Sequence, residues 1–306
     1  MYTLLYSVFF KLKTVQKRHA LNKVQQKMLD YIEWYYNVFW RKWVMDHPSA
    51  KVGVTYEKRE QKVIISLTSF PKRINTIWLT IETLLRQSVR PDEIILWLAD
   101  SQFDGLESLP ESLLQLQKRG LTIRFCDDLR SHKKYYYVLQ EHPEDLVILA
   151  DDDLFYPRDT VKKLVRMHKQ YPEDICCISA QVISPDFRSR PSLWRNPKPE
   201  EHCWQHSDQL QAFTGGGTLI PPRTLDSEVF DRTAIREFCP YADDLWIAFM
   251  AHRIGTKITT LKKWRPFPVT IYGTAEGSLY YINAEDNQND VQWKNLLDRY
   301  GADILS

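Results

Sequence analysis

The chain has 306 residues, 43% of them hydrophobic and 26% charged, enough apolar material for one large domain with an attached element and too much for wholesale disorder. Its formal charge of +2 argues against a general nucleic-acid binder, so no nucleic acid is expected among its partners. The five cysteines, Cys126, Cys176, Cys177, Cys203 and Cys239, are odd in number and lack metal-site spacing, which predicts a reducing, cytoplasmic setting without a disulfide framework.

Tyr2 to Phe10 is a short apolar run ending at Lys11. A spanning helix needs about 20 apolar residues, roughly twice this run. A secretory signal carries its positive charge before the apolar stretch, and here the charge follows it. Residues 1–50 read as an N-terminal amphipathic helical segment, with Leu21, Val24, Met28, Tyr31, Tyr35 and Val38 at the three- and four-residue spacing of one apolar face. Lys11, Lys13, Lys17, Arg18, Lys23, Lys27, Arg41 and Lys42 outnumber Asp30 and Glu33 there. Two readings stay open. Residues 1–45 could make peripheral contact with the anionic inner face of a plasma membrane. They could equally pack on the rest of the chain or on a second subunit, as in a homo-oligomer. His47-Pro48 marks a boundary, and residues 60–306 are expected to form the main domain.

From Val63 the pattern changes. Val63 to Leu67 reads as a fully buried strand, Ile74 to Gln87 as a helix, Glu93 to Leu98 as a strand and Glu111 to Arg119 as a helix. Leu121 to Phe125 is a third strand, Lys133 to His142 a helix and Leu146 to Ala150 a fourth strand. This alternation predicts an α/β fold with a doubly wound, mainly parallel sheet. Thr160 to Tyr171 is a further helix and Cys176 to Ile183 a strand, and residues 184–212 read as a long, polar substrate loop. Thr218 to Ile220 reads as a strand, Asp244 to Arg253 as a helix stopped by Gly255, and the tail from residue 269 as a short strand and a helix over Asn289 to Tyr300.

In such sheets ligands sit beyond the carboxyl ends of the strands, where Thr68-Ser69, Asp127-Asp128 and Asp151-Asp152-Asp153 all fall. Three adjacent carboxylates repel one another, and a hard divalent cation gives a folded chain a reason to hold them together. Lys133 and Lys134 are placed to neutralise a diphosphate, or to be a solvated pair. The glycines of Thr214-Gly215-Gly216-Gly217 allow close approach of backbone to ligand, or simply a tight turn. No Gly-Lys-Ser/Thr follows them, so this is not a phosphate loop. Asp243-Asp244 opens a helix, whose N-terminus favours ionised carboxylates, so the pair suits either base catalysis or capping.

Residues 62–260 resemble an inverting glycosyltransferase of the GT-A fold, of the large family 2 type found in bacterial capsule and O-antigen synthesis. Three segments carry the resemblance: Ile64 through Ile74, Asp151-Asp152-Asp153, and Asp243-Asp244-Leu245-Trp246, which has Asp where the family has Glu. The resemblance implies that Thr68, Ser69, Pro71 and Arg73 hold the nucleotide, and that Asp127 or Asp128 holds base or ribose. It implies a Mn²⁺ or Mg²⁺ ion on Asp153 first and Asp151 second, with Asp152 on ribose or metal. Asp244 would be the general base, or Asp243 if the altered motif shifts the register. Gly215, Gly216 and Gly217 would line the donor-sugar pocket, and the tail around Tyr280, Tyr281, Asn283 and Asn287 to Asp290 would close as a lid. Among Trp194, Trp204 and Trp246, the sugar platform is expected at Trp246, beside the base. The donor would be a nucleotide-sugar, UDP-linked, and the acceptor a saccharide or lipid-linked saccharide. The other readings are a retaining transferase or nucleotidyltransferase on the same fold, and a saccharide- or partner-binding module without catalysis.

Overall fold

In the computed structural model of the chain the described residues are 2–183, 206–261, 266–279, 282–283 and 287–301. Trp194, Cys203, Trp204, Tyr280 and Tyr281 lie outside them, as does most of the predicted substrate loop.

Four apolar runs form the parallel half of the central sheet: β1 (Val63–Thr68), β2 (Glu93–Ala99), β3 (Leu121–Cys126) and β4 (Leu146–Leu149). β1 is buried on both faces, with Ile65 and Leu67 in one apolar cluster and Ile64 in the other, which is why its sequence reads as continuous rather than alternating hydrophobicity. After β5 (Leu154–Phe155) the chain adds β6 (Ile175–Cys177), β7 (Ala180–Val182), β8 (Leu210–Ala212), β9 (Thr218–Ile220), β10 (Ile258–Thr260) and β11 (Val269–Thr270). The seven-stranded order is β10-β6-β9-β4-β1-β2-β3, with β9 antiparallel to both β4 and β6. β5 pairs with β11 and β7 with β8, each as a small antiparallel pair. The fold is therefore α/β with a doubly wound, mainly parallel sheet and an N-terminal helical segment. The predicted strand from Cys176 to Ile183 is in fact two. It breaks at Ile178, whose N–H bonds to the Gly217 carbonyl (3.0 Å), and β7 leaves the main sheet to pair with β8.

The N-terminal segment comprises α1 (Tyr2–Arg18), α2 (Lys23–Trp34), a π-helical stretch (Tyr35–Trp40) and α3 (Arg41–Asp46). Asn22 starts α2 with a capping box to Gln25. The predicted apolar face is not the one that docks. Val24, Met28, Tyr31 and Val38 are exposed and only Tyr35 of the six is buried, whereas Leu29, Ile32, Tyr36, Trp40 and Val44 are buried. Both stripes have helical spacing, and the buried one wins because it meets matched partners. Tyr36 packs on Phe155 of β5 at 5.7 Å between ring centroids, and the Asn37 amide donates to the Thr270 carbonyl of β11 at 3.0 Å. Tyr2 donates its hydroxyl to the Tyr156 carbonyl at 2.8 Å.

The remaining helices are α4 (Ile77–Leu84), α5 (Glu111–Leu114), α6 (Lys133–Glu141), α7 (Thr160–Gln170), α8 (Arg232–Phe238), α9 (Asp243–His252) and α10 (Gln288–Tyr300). The predicted helix from Glu111 tightens to 3₁₀ geometry after Leu114 and ends at Gly120, whose φ of +110° suits glycine. No helix among the described residues is long and apolar enough to cross a membrane.

Candidate active site

β4 has β1 on one side and antiparallel β9 on the other, so the sheet changes direction at β4. That is a topological switch point, where α/β sheets open a crevice. The register pairs Leu149 with Thr218, so the residues after β4 lie beside those before β9. Asp151 therefore meets Gly215 closely enough that a Cβ on that glycine would sit 1.7 Å from the Asp151 carboxylate. The Tyr156 hydroxyl locks the junction, donating to the Gly215 carbonyl (2.5 Å) and accepting from the Asp151 N–H (2.8 Å).

A cleft of about 800 Å³ opens here, within the range of small-molecule sites. It brings together Thr68, Ser69, Arg73, Asp128, Lys133, Asp151, Asp152, Asp153, Gly215, Asp243 and Asp244. Pro71 is exposed and does not line it. Asp127 turns outward to Arg232 at 2.5 Å. Gly216 and Gly217 lie behind the wall that Gly215 forms. Trp246 is also a correction. It is 0% exposed, packs against Tyr300, and donates its indole N–H to the Val229 carbonyl at 3.1 Å, because α9 turns that face into the core. The cleft's aromatic surfaces are instead Phe70, Phe213, Tyr241 and Phe267. Phe70, Phe213 and Tyr241 each stand within two residues of a polar residue singled out above, and that adjacency was the available signal. Trp246→Ala is expected to destabilise the fold by about 3–5 kcal/mol and to leave donor KM unchanged. A raised KM at unchanged melting temperature would return Trp246 to the sugar site.

The three aspartates have different surroundings. Asp152 is buried and anchored, accepting from Ser69 Oγ and from Arg73, both at 2.5 Å. Asp153 lies 3.1 Å from the same guanidinium; burial first, and the Asp152 charge second, push its carboxyl up to about 7. Asp151 is held by Lys134 at 2.7 Å.

Lys134 joins the two acidic motifs, because its ammonium is also 2.9 Å from Asp243. Burial alone would lower the pKa of this amine, but Asp151 and Asp243 outweigh burial and keep it protonated. Thr214 Oγ1 donates to Asp243 at 2.8 Å, and Asp243 stays ionised because Lys134 outweighs its burial. Asp244 is half-buried at the cleft wall, with the Leu245 N–H as its hydrogen-bond donor at 3.0 Å and no salt-bridge cation among the described residues. Burial, then the Asp243 charge, raise its pKa to about 7.

His132 is buried between the Cys239 carbonyl (2.8 Å) and the Tyr135 hydroxyl (2.9 Å). Burial lowers its pKa to about 4, so it is a neutral structural residue. At the far wall Asn283 donates to the Tyr241 carbonyl at 2.8 Å, and the buried Oδ1 of Asn289 has no hydrogen-bond partner among the described residues.

The lining residues include six carboxylates against four cations, Arg73, Arg130, Lys133 and Lys134. The site is thus short of positive charge, and its spare donors are hard carboxylate oxygens, as a divalent cation requires. Among the described residues no three His, Cys, Asp or Glu side chains form a ready-made cage.

Residues 68–233 match the sequence profile of glycosyl transferase family 2. The chain belongs to that family. The family 2 match runs from the last residue of β1 to the start of α8 and stops short of Asp243-Asp244. No curated protein matches significantly. Among solved structures, the Pyrobaculum calidifontis mannosyltransferase PcManGT, in complex with GDP-Man and Mn²⁺, is similar at TM-score 0.47 and 15% identity, over 98% of this chain and 79% of that one. Residues 1–349 of S. aureus TarS are similar at TM-score 0.45 and 13% identity, over 78% and 72%. A CMP-2-keto-3-deoxy-manno-octonic acid synthetase with CTP is similar at TM-score 0.40 and 14% identity, over 66% and 89%.

Proposed function

We propose that this family 2 enzyme is a metal-dependent, inverting glycosyltransferase that moves a sugar from a nucleotide-sugar, UDP-linked, to a saccharide or lipid-linked saccharide acceptor. One observation carries the reading: of two adjacent carboxylates at the cleft, Asp243 is salt-bridged to Lys134, whereas Asp244 lines the cleft without a salt bridge among the described residues, and burial with the Asp243 charge pushes its pKa up. A carboxylate of that kind suits a general base working near neutral pH.

The cleft has two ends. Thr68, Ser69 and Asp128 stand over β1 to β3, and they take the base and ribose. Gly215, Phe213, Tyr241 and Asp244 stand toward β9 and α9, and they take the donor sugar and acceptor. Asp244 removes the proton of the acceptor hydroxyl as its oxygen bonds to the anomeric carbon and the bond to the diphosphate breaks. A divalent cation, Mn²⁺ or Mg²⁺, offsets the charge of the departing diphosphate when bound. Asp153 and Asp151 would hold it, and Lys133 and Lys134 supply the nearby fixed positive charge. Gly277 and Ser278 line the cleft opposite Phe70, and the Lys72–Glu276 pair (2.8 Å) ties this wall to the β1 loop, which helps exclude water from the donor.

The test is a panel of nucleotide-sugars with Mn²⁺, scored by nucleotide release and by anomeric configuration of the product. No transfer or hydrolysis with any donor, together with no thermal shift by UDP, would falsify the reading. Asp153→Ala is expected to abolish metal-dependent UDP binding by calorimetry. Normal binding in that variant would mean the metal is held elsewhere.

A further inference from the structure

From Lys23 to Asp46, α2, the π-helical stretch and α3 run on as one continuous helical rod. Leu29, Ile32, Tyr36, Trp40 and Val44 dock one side of it on the sheet. The other side carries Val24, Met28, Tyr31, Trp34, Val38 and Met45, exposed by between 44% and 67%. Of the sixteen large apolar side chains exposed among the described residues, ten lie between Leu4 and Met45. A helix apolar on both sides needs a cover on both, and so concentrated an apolar surface marks an interaction site.

The chemistry of the stripe selects the cover. Tyr31 and Trp34 stand together, their ring centroids 5.7 Å apart, and both residue types favour the boundary between headgroups and acyl chains. Lys23, Lys27 and Lys42 are exposed on the same rod. Residues 2–46 carry eight Lys and Arg against three Asp and Glu, so with +2 for the whole chain the remainder is net acidic. The excess positive charge is therefore confined to the apolar element, as attraction to anionic lipid requires. A second copy docking through a two-fold axis would set the same lysines against one another.

We propose that the exposed side of this rod seats the protein on the surface of an anionic lipid bilayer, without spanning it. The docked side grips β5 and β11 through Tyr36 and Asn37. β5 begins directly after Asp153, so the lipid-facing element is fastened to the strands that adjoin the aspartate triplet. A sugar acceptor carried on a lipid would then be presented to a cleft held at the bilayer.

The experiment is sedimentation of the full chain with phosphatidylcholine vesicles, with and without phosphatidylglycerol, at roughly 0.1 M salt and again at higher salt. Binding to the anionic vesicles is expected to be at least tenfold tighter than to neutral ones, and to weaken with salt. The pair Tyr31→Ser with Trp34→Ser, and separately the triple Lys23→Glu, Lys27→Glu and Lys42→Glu, are each expected to lose at least tenfold in apparent affinity. All five side chains are exposed, so circular dichroism and melting temperature are expected to stay as in the parent. The lysine set disturbs no buried contact and decides the matter even where the serine pair lowers stability. Absence of binding to anionic vesicles, or equal binding by parent and variants, overturns the proposal. So does a dimer in ultracentrifugation that both variant sets dissolve, because a second copy would then be the cover. No donor sugar enters the assay, so failure here leaves the transferase reading standing.

Discussion

Asp244→Asn is expected to lower kcat by about 10²–10⁴-fold while donor and UDP affinities stay close to those of the parent. Asn keeps the size of the side chain and removes its ability to accept a proton, so a loss confined to turnover isolates the base. The neighbouring Asp243→Asn is expected to behave differently, because Asp243 neutralises Lys134 and accepts from Thr214. It should weaken donor binding and stability as well as turnover. The pH profile gives an independent reading of the same group. A base acts in its ionised form, and burial with the Asp243 charge raises Asp244 to about 7. The rate in the parent enzyme is therefore expected to level off above about pH 7 and to fall roughly tenfold per unit below it. A profile flat between about pH 5.5 and 8, or an Asp244→Asn enzyme turning over at the parent rate, would point to a retaining mechanism that needs no base.

Lys134→Met is expected to lower stability and donor affinity together. Its ammonium is the shared partner of Asp151 and Asp243, and removing it leaves carboxylate charge uncompensated in a buried setting. Loss of one member of a buried pair costs about 3–5 kcal/mol. The lower end applies here, since the Asp151 side chain is 37% exposed and water screens that contact. A fall in melting temperature of about 5–10 °C is the corresponding expectation. Donor affinity should fall too, because the same ammonium sets the positions of both acidic motifs. Unchanged melting temperature and unchanged affinity would show that Lys134 is a solvated bystander.

Much of the scaffold was legible because it rests on local signals. β1, β2 and β4 are short apolar runs bounded by polar breaks, as strands buried on both faces must be, and β3 at the sheet edge is less buried and carries Thr122 and Arg124. The acidic motifs were legible as chemistry, since adjacent carboxylates at a strand end are costly without a cation. The misreadings share one cause. Leu29-Ile32-Tyr36 and Val24-Met28-Tyr31 have the same helical spacing, and periodicity cannot say which stripe finds a partner. Trp246 stands two residues from Asp244 in sequence, but on a helix each residue turns the side chain by about 100°, so that separation points the two side chains in nearly opposite directions. The division into β6 and β7 reflects different partners, β9 for one and β8 for the other, and no local pattern encodes that choice.

The sequence by itself determined the alternation of strands and helices, and with it the parallel sheet and the edge where the aspartate triplet emerges. Those follow from backbone geometry and the burial of apolar runs, which act over a few residues at a time. Only the tertiary structure decided which aspartates are anchored and which are available. Ser69 and Arg73 hold Asp152, Arg73 also reaches Asp153, Lys134 holds Asp151 and Asp243, and Asp244 is left at the cleft wall without a salt bridge among the described residues. In sequence these carboxylates are equivalent. They differ because ionisation is governed by burial and by charges a few ångströms away, supplied by segments distant in the chain.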